Sequence, residues 1–122
     1  MNRFEAQILN QNFNSDRVSD DFNKRLLEAI DESLLALGEH VRQAVYHFME
    51  TRLSIRRDEI PYRPEDFAEA LRDMLGSGGK VLLRLAVKIF YAKLGLNFEE
   101  KSEWNFRDYV EYARKYSTGL SD

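Results

Sequence analysis

Between Lys80 and Leu94 the chain is apolar at nearly every position, and its charges fall at Lys80, Arg84 and Lys88, with Lys93 near the end. A recurrence of four places the first three on one side of a helix. The remaining circumference must be covered by protein, because a helix that is apolar nearly all round belongs inside a core. Such a helix is either the central member of a bundle or one whose outer face is covered by a second subunit. It does not read as a membrane span, since Val81 to Leu94 carries Arg84, Lys88 and Lys93, and no stretch reaches the roughly 18 apolar residues that a span needs.

The flanking segments supply partners for this helix. Ser19 is placed as an N-cap, with Asp20 and Asp21 at the positive helix end, ahead of an apolar face of Phe22, Leu26, Leu27, Ile30, Leu34 and Leu37. Gly38 interrupts the pattern and Val41, Val45, Phe48 and Met49 resume it, which favours two helices meeting at a corner over one kinked helix. Ser54 to Arg63 reads as a loop pinned to the core by Ile55 and Ile60. Pro64 suits a first helical turn, followed by Glu65 and Asp66 and by inward-facing Phe67, Leu71, Met74 and Leu75, with Gly76 ending the helix. Gly95 caps the apolar helix. Asn105 opens the last one, with Trp104 and Tyr109 spaced to close a hydrophobic staple.

No strand alternation is sustained anywhere, so the predicted fold is all-α, a compact helical bundle of about five main helices with a short N-terminal helical arm. Residues 1–18 form that arm and a loop: Phe4, Ile8 and Leu9 have helical spacing, and Asn10, Asn12, Asn14 and Ser15 then compete for backbone hydrogen bonds. Residues 19–116 form a single helical domain and residues 117–122 a flexible tail. At 122 residues the chain can bury one adequate core without disulfides or metals.

Charge and cysteine content narrow the function classes. The 18 basic and 21 acidic side chains leave a net charge of −3, so nucleic acid and anionic membranes are not expected as partners. The absence of cysteine removes disulfides, thiolate metal sites and cysteine nucleophiles and fits a cytoplasmic location. Met1 to Asn12 lacks the uninterrupted apolar run of a signal peptide.

No catalytic residue is nominated, and no cofactor or metal is expected. His40 and His47, seven residues apart on one helix, have backbones roughly 10.5 Å apart and cannot share one ion without ligands from elsewhere. His47 with Glu50 inverts the Glu-x-x-His order of di-iron bundles. No serine or threonine lies in a nucleophile elbow. The sharper candidate is the run Gly76, Ser77, Gly78, Gly79, Lys80, which precedes a helix and could present backbone amides to an anion, assisted by Lys80 and Arg84. It is no Walker loop, because Met74 and Val81 stand where glycine and serine or threonine are required. The alternative is a tight turn between two capped helices. A second candidate is an interaction surface formed by Phe4 and Ile8 of the arm with Trp104, Tyr109, Tyr112 and Tyr116, since tyrosines beyond the needs of a core are common at partner surfaces.

From Leu37 to Leu96 the segments LGEHVRQAVYHFMETRLSI and EIPYRPEDFAEALRDMLGSGGKVLLRLAVKIFYAKLGL resemble an archaeal family, the Nitrosopumilus-type output domains, type five in particular. The resemblance implies an archaeal all-helical signalling module that acts by contact and has no catalytic residues to carry over. Together these readings lead to a non-enzymatic protein-interaction or regulatory module, self-associating or binding a protein partner. The alternative is a small-anion or phosphate-ligand site at Gly76–Lys80.

Overall fold

A computed structural model describes the backbone of residues 3–119 and the side chains of residues 19–117. Among the described residues there is no strand. Five α-helices follow one another: α1 (Arg3–Leu35), α2 (Glu39–Leu53), α3 (Pro64–Leu75), α4 (Ser77–Leu94) and α5 (Phe106–Gly119), with a short 3₁₀ helix at Arg57–Tyr62 between α2 and α3. The all-α bundle read from the sequence is the fold of the chain.

The apolar helix α4 is its organising element and packs on α1, α3 and α5. Leu82, Leu83, Ala86, Val87, Phe90 and Tyr91 are buried, whereas Lys80, Arg84 and Lys88 are exposed along one side, as their spacing requires. The edge of Phe22 on α1 meets Phe90 at 5.1 Å, and Arg25 Nη1 donates to the Lys93 carbonyl at 2.6 Å. These contacts advance in the same sense along both helices. Lys93 Nζ then reaches Glu32 at 3.2 Å, which ties the end of α4 to the last turn of α1.

The N-terminal region differs from the sequence reading. Helix α1 is continuous over 33 residues, about 50 Å at 1.5 Å per residue, so the loop placed at Asn10 to Ser15 is helical and Ser19 lies mid-helix instead of capping. Asparagine and serine cost only a few tenths of a kcal/mol each within a helix. Once packing of Phe22 to Leu34 has supplied the nucleus, each further residue adds a hydrogen bond, and propagation carries through such positions. The side chains of Phe4 and Ile8 lie outside the described residues. At the other end α5 continues to Gly119, so residues 117–119 of the supposed tail are helical, and residues 120–122 lie outside the described residues.

The corner at Gly38 is present. Its φ of +111° is open to glycine and strained for other residues, and the amides of Leu37 and Gly38 close the turn onto Leu34 and Leu35. Leu37, read as part of the α1 face, stands exposed because the helix has already ended. Asp31 fastens this corner. Its carboxylate accepts from the Tyr46 hydroxyl of α2 and from Arg57 of the 3₁₀ helix, with Arg42 Nη1 at 3.7 Å. Burial first, and the Asp31 hydrogen bond second, hold the Tyr46 hydroxyl well above the usual tyrosine range, and the same carboxylate raises Arg57. Ile55 and Ile60 are buried beneath this junction, as their anchoring role requires.

Candidate functional site

The start of α5 is built by reciprocal capping. Asn105 Oδ1 accepts from the Asp108 amide at 3.0 Å, and Asp108 Oδ2 accepts from the Asn105 amide at 2.9 Å. The staple closes across it, with the Trp104 and Tyr109 rings 5.2 Å apart. Tyr109 then anchors the segment before α5, since its hydroxyl accepts from the Lys101 amide at 2.8 Å. The Tyr91 hydroxyl, raised above its ordinary value chiefly by burial, donates to the Tyr109 carbonyl at 2.6 Å. These bonds fix the rotation of α5 on α4 and decide which of its tyrosines face outward.

Two do. Tyr112 stacks on Tyr91 at 6.4 Å with 17° between the rings, packs on Trp104 at 5.4 Å, and meets Tyr116 one turn later at 4.4 Å. Tyr112 is 39% and Tyr116 46% exposed. The result is an aromatic ridge with a buried root of Tyr91 and Tyr109 and an exposed crest, Trp104 lying half-buried between them. Four of the six residues nominated for an interaction surface, Trp104, Tyr109, Tyr112 and Tyr116, therefore meet at one place.

On the far side of Trp104 lies a cleft of about 310 Å³, walled by the end of α3, the first half of α4, the start of α5 and the segment joining α4 to α5. Leu83, Val87, Phe106 and Tyr109 supply apolar wall, and Arg72, Lys80, Arg84, Lys101 and Glu100 supply charge. Arg84 pairs with Glu100 at 2.8 Å, and Lys101 with Glu99 at 3.3 Å while lying over the Trp104 ring. Arg72 and Lys80 have no ion pair among the described residues.

The glycine run before α4 has a structural cause. Gly76 caps both helices at φ +58°, and Gly79 is buried so closely against α3 that a Cβ there would lie 2.5 Å from the Leu71 carbonyl oxygen. Ser77 and Gly78 are exposed on the surface. Of the five residues nominated for an anion, only Lys80 and Arg84 line the cleft, and they meet there with Arg72 and Lys101, which sequence reasoning did not single out. Lys101 lies in a stretch without helical period, and no local pattern connects Arg72 to it.

His40 and His47 are both exposed, and among the described residues no group of three histidine or carboxylate side chains is placed to hold a metal. No helix among them is long and apolar enough to cross a membrane. No family model, curated protein or solved structure matches this chain.

Proposed function

We propose that this chain is a non-enzymatic interaction module that associates through the aromatic ridge of α5, in the first instance with a second copy of itself. The observation that carries the proposal is the pair Tyr112 and Tyr116, packed with ring centres 4.4 Å apart and left exposed on a helix whose start is fixed by reciprocal capping. Exposed tyrosines cost little side-chain entropy when they are immobilised, and here Tyr112 is already held by Tyr91 and Trp104, and Tyr116 packs on Tyr112. A ridge that is self-complementary across a two-fold axis gives a closed dimer. The resemblance of Leu37 to Leu96 to the Nitrosopumilus-type output domains is a further proposal in the same direction. It extends the proposal to a signalling role in an archaeal cytoplasm.

Sedimentation velocity over a concentration series tests the proposal. The expected result is a reversible monomer–dimer equilibrium whose dissociation constant rises by about tenfold or more in Tyr116→Ser, as for loss of an aromatic contact at an interface centre. Circular dichroism of the variant should match the parent, since Tyr116 lies outside the core. A strict monomer throughout the series refutes self-association.

A further inference from the structure

We infer that the cleft between α3, α4 and α5 is a binding site for a small organic phosphate, a phosphomonoester carrying an apolar or aromatic group. The charge of its wall runs against that of the chain: four cations face one carboxylate within the cleft, whereas the whole chain carries −3. Glu100 is already engaged by Arg84, so Arg72 and Lys80 are left to meet an anion from outside. The field of α4 acts in the same direction. Its first turn holds no acidic residue and its N-cap makes no side-chain hydrogen bond, so nothing within that turn answers the positive end of the helix beside Lys80.

The remaining features select the kind of anion. Leu83, Val87 and Phe106 form an apolar floor that inorganic phosphate would leave wet, and that an attached ring would cover. A volume of about 310 Å³ lies at the lower end of small-molecule sites and suits one ring system with one phosphate. Glu99 and Glu103 stand exposed on the same connecting segment but outside the lining, where they repel the flanking phosphates of an extended polyanion. These acids favour a compact dianion over a nucleic-acid strand. In the bound state Arg72 and Lys80 would hold the phosphate oxygens by charge-assisted hydrogen bonds, with the organic group against Leu83 and Phe106.

Trp104, the single tryptophan of the chain, lines this cleft and reports on it directly. Its indole N–H resonance is followed during titration with phenyl phosphate, AMP and CMP, with phenol, adenosine, cytidine and inorganic phosphate as comparators. At least one ester should give a saturable shift, at least about tenfold tighter than both its parent alcohol and inorganic phosphate. Arg72→Gln and Lys80→Gln, both at exposed positions, should each weaken that ester about tenfold, and Arg52→Gln on α2 should leave it unchanged. The inference is overturned if no ester gives a saturable shift at millimolar concentration, if the parent alcohol or inorganic phosphate binds as tightly as the ester, or if both cleft variants bind like the parent protein. The same titration on Tyr116→Ser separates the two readings, because Tyr116 does not line the cleft and a saturable shift kept in that variant belongs to the phosphate site and not to association through the ridge.

Discussion

An alanine methyl group at position 79 would sit 2.5 Å from a backbone oxygen and 2.8 Å from its carbon, neither of which can rotate away. Helix α4 would have to back off α3. Gly79→Ala is therefore expected to destabilise the chain by about 1–3 kcal/mol despite the better helix propensity of alanine. One residue earlier the nearest atom is Leu75 Cβ at 3.9 Å, an ordinary contact. Gly78→Ala should stabilise by about 0.5 kcal/mol through propensity and reduced freedom of the unfolded chain. Urea midpoints of the two variants should move in opposite directions. The glycine run was visible in the sequence, but its reason was not: Leu71 lies on another helix, and only the packed structure shows that its carbonyl occupies the space of a side chain.

The helices themselves were largely legible, because burial periodicity, Pro64, Gly76, Gly95 and Asn105 each act within a few residues. The Ser19 boundary failed because a capping residue also fits mid-helix when packing has nucleated the helix on one side. The two serine and asparagine positions can be told apart by experiment. Asn105→Ala should cost about 1 kcal/mol, as a functioning cap does, whereas Ser19→Ala should be neutral or slightly stabilising. The corner joining α1, α2 and the 3₁₀ helix offers a pH test. Burial and Asp31 hold Tyr46 protonated above its ordinary value of 10.0, so as pH rises past that value the unfolded chain loses its proton first. Stability that is complete below about pH 10 then falls steadily above it. Tyr46→Phe should lose about 1–2 kcal/mol near neutrality, where the hydrogen bond to Asp31 is missed, and should show a shallower alkaline decline. Denaturant unfolding at neutral and alkaline pH measures both parts, Tyr91 contributing to the slope that remains.

At the scale of the molecule, one cluster of buried side chains takes members from every helix and from the 3₁₀ segment. Unfolding should therefore be a single event, with far-ultraviolet circular dichroism and Trp104 fluorescence giving coincident urea transitions. An earlier fluorescence transition would mean that α5 detaches separately. The cationic cleft belongs to this scale as well. Arg72, Lys80 and Lys101 come from three different segments, so the sequence pointed to Lys80 and Arg84 beside the glycine run but not to the hollow that they share with Arg72 and Lys101. Trp104 and Tyr109 form one wall of that hollow and part of the ridge that carries Tyr112. A wall with two sides cannot be displaced for one occupant and held still for another. If both surfaces are used, they are thermodynamically linked, and the factor by which a bound phosphate changes dimerisation must equal the factor by which dimerisation changes the affinity for that phosphate.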